Sequence, residues 1–296
     1  MDGGGVLYVC ATPIGNLEDV SLRLLRMLGE ANVIAAEDTR TTRKLLSRYR
    51  IATPLISFHA HSGPEAVERL VGRLVSGERV ALVSEAGTPG ISDPGLPLVE
   101  AARAAGCRVE AVPGPSAVIA ALSISGLPTA RFVFEGFLPV RGAARRRRLL
   151  ELAGERRTII LYEAPHRLLR TLEDLRRHLG ERPVAVAREL TKQFEEVYRD
   201  TLSGVQAHFA AAERRGEFTL VIGGAAEADA REAAEANAKP EQPGGPDPGE
   251  EALTLARQEG LALGEAAQRV ARARGQSRNA VYRRALARRE EERRTR

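Results

Sequence analysis

Four short segments hold the residue types that grip or transform a ligand: "TPIGN" (Thr12–Asn16), "AEDTR" (Ala36–Arg40), "SEAGTPGISDPG" (Ser84–Gly95) and "PGPSA" (Pro113–Ala117). Each follows an apolar run that reads as a strand. Each offers Gly where a ligand must approach the backbone, Pro where a loop must be stiff, or a carboxylate that accepts hydrogen bonds. Turning the chain would explain any one of them. Four at one sheet edge favour a pocket, because open parallel sheets bind ligands beyond the carboxyl ends of their strands. None is GxGxxG opening a helix and none is GxxxxGKS, so a pyrophosphate grip is a weak reading. The loops add Glu37, Asp38, Glu85 and Asp93 with few cations. That donor set suits a ribose, an adenine edge, or a ligand bearing ammonium or sulfonium charge.

A second group lies further along, in "EAPHR" (Glu163–Arg167) and "RELTK" (Arg188–Lys192). Of 44 Lys and Arg residues only Lys44, Lys192 and Lys239 are lysines. A lysine can lose its proton when buried and an arginine effectively cannot. Lys192 therefore reads either as a group chosen for proton chemistry or a tight point contact, or as a chance surface lysine. His166 suits a phosphate or a proton shuttle, and equally a structural place at a helix start. Glu189 beside Arg188 suits catalysis or a plain ion pair at a strand end.

The elements that must position these groups alternate. "GVLYVCATP", "NVIAAEDT", "RVALVS" and "RVEAVPGP" read as strands, and "SLRLLRMLGEA", "PEAVERLVGRLVSG" and "LPLVEAARAAG" as helices. That rhythm predicts an α/β domain with a parallel sheet over residues 1–127. "RFVFEGFLP", "RTIILYEAP", "PVAVARELT", "FEEVYRDTL" and "EFTLVIGG" predict a second α/β domain over 128–224, with a mixed sheet and few helices between its strands. Residues 223–250 lack Val, Ile, Leu and every aromatic, which predicts a linker over 225–249. Residues 250–296 follow as a small helical module broken at Gly264 and Gly275, with helix–turn–helix spacing and Ser277 as the cap of a basic second helix.

The segments "ATPIGNLEDVSLR", "AAEDTRTTRKLL", "VSEAGTPGISDPG", "VPGPSAVIAALSISGLP", "FEGFLP", "YEAPHRL" and "ARELTKQFEEVYRDTL" resemble the ribosomal RNA small subunit methyltransferase I family. That family is of the tetrapyrrole-methylase type of S-adenosylmethionine enzymes (class III). The resemblance runs from about Leu7 to Gly224, and "TPIGNL", "AEDTR" and "ARELTK" belong to this branch rather than to the porphyrin branch. It implies two α/β domains with S-adenosyl-L-methionine in the cleft between them, a homodimer, and 2'-O-methylation of a decoding-region cytidine, cytidine 1402 of 16S ribosomal RNA. It implies cofactor contacts from Pro13 and Gly15, from Ser84, Glu85, Ala86, Gly87 and Asp93, and from Pro113, Gly114, Ser116 and Ala117. Tyr162, Glu163 and Ala164 of "LYEAP", with the strand ends at "FEGFLP" and "RGEFTL", would close over the adenine from the far side. Glu85 stands where family members commonly carry Asp, so the carboxylate sits on a longer stem. Lys192, Glu189, Glu37 and Asp38 are the catalytic candidates.

The net charge of +5 permits a polyanionic partner without demanding one. Its distribution says more. "RGAARRRR" concentrates five arginines, and residues 250–296 carry 12 Arg against 7 Glu. Arg145, Arg146, Arg147 and Arg148 suit an RNA backbone, joined by Arg40, His166 and Arg167; a solvated helix face is the plainer alternative. The two cysteines, Cys10 and Cys107, have no metal-ligand spacing, so no metal is expected and a reducing cytoplasm is. No signal peptide or membrane span is expected. Two other readings stay open: the same fold and cofactor acting on a tetrapyrrole or another small acceptor, and a non-catalytic RNA-binding protein.

Overall fold

The computed structural model describes residues 5–211, 215–225 and 247–274, and then 281–282, 284–286 and 288–289. The chain divides into two compact units, Met1–Gly224 and Ala225–Arg296.

The first sheet is built from β1 (Val6–Cys10), β2 (Val33–Ala36), β3 (Leu55–Ser57), β4 (Arg79–Val83) and β5 (Arg108–Val112), in the order β3-β2-β4-β1-β5. Every pairing is parallel. β2 is buried along its whole length and β4 from Val80 on, as the runs "VIAA" and "VALV" require of strands covered on both faces. α1 (Leu22–Glu30) and α2 (Thr39–Arg48) close one face around Leu24, Leu28, Ile34 and Leu45. α3 (Pro64–Val75) and α4 (Leu96–Ala104) close the other around Leu7, Leu70, Leu74 and Leu98. All five strands therefore deliver their following loops to one edge.

The second sheet holds β6 (Phe132–Phe137), β7 (Thr158–Glu163), β8 (Pro183–Arg188), β9 (Glu196–Thr201) and β10 (Phe218–Ile222), in the order β6-β7-β10-β8-β9. Only β6 and β7 run parallel, so the sheet is mixed. The expectation of few helices is corrected. α6 (Gly142–Ala153), α7 (Leu168–Leu179) and α8 (Leu202–Ala211) lie between these strands and bury a leucine-rich face of the sheet. The opposite face, with Ile160, Ala185, Ala187 and Val221, packs on Val118, Ala121 and Leu122 of α5 (Ala117–Ser125). α5 follows the last strand of the first sheet yet packs on the second, and so couples the two halves of the site.

In the second unit, Asp247 Oδ1 accepts the N–H groups of Gly249 and Glu250 at 2.6 and 3.2 Å and so caps the start of α9 (Pro248–Glu259). α9 ends at Gly260, whose φ of 63° is the left-handed helix stop, and α10 (Leu263–Arg274) follows. The break therefore falls at Gly260, and Gly264 lies inside α10, which corrects the expected break there. Ala252, Leu253, Ala267, Val270, Val281 and Ala285 form this unit's own small core. Gly275, Ser277 and most of the expected linker lie outside the described residues. Among the described residues no helix is long and apolar enough to cross a membrane.

Candidate active site

Backbone pairing sets the first wall. Thr12 and Gly87 exchange N–H···O bonds of 2.9 and 3.1 Å, which ties the loop after β1 to the loop after β4. Gly87 does this at φ +71°, a conformation that L side chains rarely adopt. Ser84 Oγ donates to the Ala86 carbonyl at 3.1 Å and holds the start of the same turn. The loop after β1 then passes directly over the loop after β8. A Cβ on Gly15 would lie 2.5 Å from Lys192 Cγ and 2.8 Å from Thr191 Oγ1, and the N–H of Asn16 donates to Thr191 Oγ1 at 3.1 Å.

Between these loops lies a cavity of about 310 Å³. Of the expected cofactor residues, Glu85, Ala86, Gly87, Asp93, Ser116, Ala117, Tyr162, Glu163 and Ala164 line it. Pro13, Gly15, Ser84, Pro113 and Gly114 do not. Ser84 and Gly15 shape the loops as described, and a Cβ on Gly114 would sit 3.0 Å from the Ala11 carbonyl oxygen. Phe137, Glu217 and Phe218 also line the cavity, from the strand ends "FEGFLP" and "RGEFTL" expected to close its far side, and Ile14 and Leu190 join them without having been singled out one by one.

The charged lining residues are Glu85, Asp93, Glu163 and Glu217, all acids. Burial, then the nearby charge of Glu37, pushes Asp93 up to about 6. Burial, then Asp93, raises Tyr162. Such a cavity disfavours an anion and favours a cation with an apolar body, since Ile14, Phe137, Tyr162 and Leu190 supply flat and aliphatic wall. S-adenosylmethionine, with a sulfonium, an ammonium and an adenine ring, fits this set.

At the rim, Lys192 Nζ donates to Glu189 Oε1 at 2.9 Å and to Glu217 Oε2 at 3.0 Å. Burial alone would lower its pKa, but the two carboxylates outweigh burial and raise it. The ammonium is held protonated, so Lys192 is not a resting-state proton acceptor. Burial opposes charge on Glu189, yet hydrogen bonds from Lys192 and from the N–H of Glu217 keep its pKa below the usual value. Glu189 and Thr191 adopt φ of +51° and +66°, a strained pair fixed by these bonds and by Thr191 N–H donating to Glu195 Oε2 at 2.6 Å. Glu37 Oε2 accepts the N–H of Glu85 at 3.1 Å, linking the loop after β2 to the cavity wall. Asp38 Oδ1 accepts the N–H groups of Arg40 and Thr41 at 2.7 and 3.4 Å, so Asp38 caps α2.

The arginines also sort differently from expectation. Arg145 is buried, not an RNA contact. Its Nε donates to Asp174 at 2.8 Å, one terminal nitrogen to the Pro139 carbonyl at 3.0 Å and the other to Thr171 Oγ1 at 2.9 Å. Thr171 in turn donates to Glu163 Oε2 at 2.5 Å, and Glu163 Oε1 accepts the N–H of Ala164 at 2.8 Å. Arg167 pairs with Glu163 at 3.2 Å and donates to the Leu138 carbonyl at 2.5 Å. One buried network thus holds the loops after β6 and after β7 beside the cavity. Arg148 is taken up by Glu135 and Glu151. Arg146 and Arg147 remain exposed, as does Arg40, while His166 is exposed beside the start of α7.

Residues 6–206 match the family model described as Tetrapyrrole (Corrin/Porphyrin) Methylases. Over 233 residues the chain is 55% identical to the ribosomal RNA small subunit methyltransferase I of Xylella fastidiosa, covering 78% of this chain and 85% of that one. It is 42% identical over 286 residues to the Haemophilus influenzae protein of the same name, covering 96% and 97%. The chain belongs to the ribosomal RNA small subunit methyltransferase I family. Residues 243–289 match the model described as RsmI C-terminal HTH domain, which extends membership into the second unit. The fold is also that of a uroporphyrin-III C-methyltransferase from Thermus thermophilus, solved with S-adenosyl homocysteine, at 21% identity and a TM-score of 0.53 over 76% of this chain and all of that one. As a member of the methyltransferase I family the chain is a methyltransferase, and its cofactor is S-adenosylmethionine.

Proposed function

We propose that the chain methylates the 2'-oxygen of a decoding-region cytidine, cytidine 1402, in 16S ribosomal RNA, acting as a cytoplasmic homodimer. The acid-lined cavity carries the reading, together with relatives named ribosomal RNA small subunit methyltransferase I, one of which aligns over 96% of this chain. Bound S-adenosylmethionine supplies an electrophilic methyl group on a sulfonium. Glu85, Asp93 and Glu217 offset the positive charge, and Phe137 and Tyr162 supply apolar wall. Methyl transfer needs in-line alignment of the acceptor oxygen and removal of a weakly acidic proton. Lys192, held between Glu189 and Glu217, offers a fixed ammonium donor at the rim for the acceptor ribose. With Asp38 committed to its cap, Glu37 is the rim carboxylate assigned to the acceptor proton. Residues 1–127 and 128–224 act as the two halves of the site, and the basic module of residues 250–296 as a tethered RNA contact. The test is methyl transfer to small ribosomal subunits from a strain lacking the modification, run beside a tetrapyrrole acceptor. Transfer to the tetrapyrrole alone would overturn the reading.

A further inference from the structure

We infer that the exposed face of α2, with the adjoining turn after β3, is the track on which the RNA strand carrying the acceptor ribose lies; this rests on the RNA reading above. Arg40, Arg43, Lys44, Ser47 and Arg48 recur at helical spacing and are all exposed, while Thr42, Leu45 and Leu46 face the core. From Arg40 to Arg48 the helical rise gives this stripe a length of about 12 Å. α2 contains no acidic residue; each of the other helices among α1–α10 that carries Lys or Arg also carries an acid. On α6, by contrast, Arg145 is buried and Arg148 is paired twice.

The stripe starts at the cavity. α2 follows Glu37 and Asp38, and Glu37 is bonded to the cofactor loop. The turn after β3 lies alongside, because Ala36 pairs with Ser57 and the N–H of Phe58 donates to the Ala36 carbonyl at 2.8 Å. There His59 and His61 are exposed. His59 Nδ1 accepts the N–H of His61 at 3.2 Å, which leaves Nε2–H as the ring's donor. Charge divides the two ligands: the acids of the cavity repel phosphate, and the cations beginning one loop away attract it.

The test uses the full chain with Arg43→Ala/Lys44→Ala. Both side chains are exposed and Ala is the best helix former, so the fold is retained. The control, Arg69→Ala/Arg103→Ala, removes the same charge from exposed positions on α3 and α4, on the other face of the sheet. Binding to small subunits is measured across a salt series, with KM, kcat and cofactor Kd. Losing two phosphate contacts should lower the log–log salt slope by about 1.4–1.8 and raise KM roughly tenfold, with kcat and cofactor Kd unchanged. The control should match wild type. Unchanged slope and KM in the α2 variant, an equal change in the control, or loss of self-association in place of RNA binding would each overturn the inference. If wild type fails to methylate subunits, the substrate reading falls and this surface with it; if wild type methylates them and the α2 variant does so equally well, only this surface falls.

Discussion

Thr171→Val removes one hydroxyl from the centre of the buried network and keeps the side-chain shape. The hydroxyl donates to Glu163 and accepts from Arg145, both charged and both buried. A hydrogen bond to a charged group contributes about 1.5–3 kcal/mol, so losing two should cost about 3 kcal/mol or somewhat more. A domain of about 5–15 kcal/mol survives that loss. At about 2–4 °C per kcal/mol for a body of this size, the melting temperature should fall by about 6–12 °C. Because Glu163 also fixes the N–H of Ala164 at the cavity wall, cofactor affinity should weaken roughly tenfold, or ~1.4 kcal/mol. Thr171→Ser keeps the hydroxyl and should restore the affinity. Thermal unfolding and calorimetry of the three proteins decide it. A Thr171→Val protein with unchanged affinity and melting temperature would refute the network's positioning role.

Asp93 titrates near 6, and a cationic ligand favours its ionised form, so cofactor affinity should rise through that pH and level off above it. If only the ionised form binds, affinity at about pH 5 is roughly a tenth of its plateau; calorimetry should show this slope, and Asp93→Asn should abolish it. The same raised value means the folded state holds this proton more tightly than the unfolded chain, so its contribution to stability falls as pH rises from 3.8 to about 6. Lys192→Met should lower kcat roughly a hundredfold while cofactor Kd holds, measured by single-turnover methylation and calorimetry. Cutting after Gly224 should leave cofactor binding intact, since Met1–Gly224 is a compact unit, and should weaken subunit binding with a shallower salt slope, read by binding across a salt series.

The strand-end loops were legible because Gly, Pro and carboxylates act locally, and the parallel rhythm of the first sheet followed from alternation. What escaped was set by tertiary packing. Four consecutive arginines look alike in a row, yet the helical period puts Arg145 on the face of Leu149 and Leu152, where it is buried. Thr171 likewise shares a face with Leu168, Leu172 and Leu175. "AEDTR" reads as a ligand loop, whereas Asp38 is a helix cap and the cations after it form a stripe. The segment "RGEFTL", with Glu217 and Phe218, was legible as a strand end facing the ligand, but not that β10 lies between β7 and β8, an order that sequence adjacency does not reveal.

The most direct measurement follows labelled methyl from S-adenosylmethionine into small ribosomal subunits lacking the modification, and then maps the labelled nucleotide by mass spectrometry. The account predicts a single 2'-O-methylated cytidine in the decoding region. Label on a base, on another ribose, or on no RNA at all would contradict it.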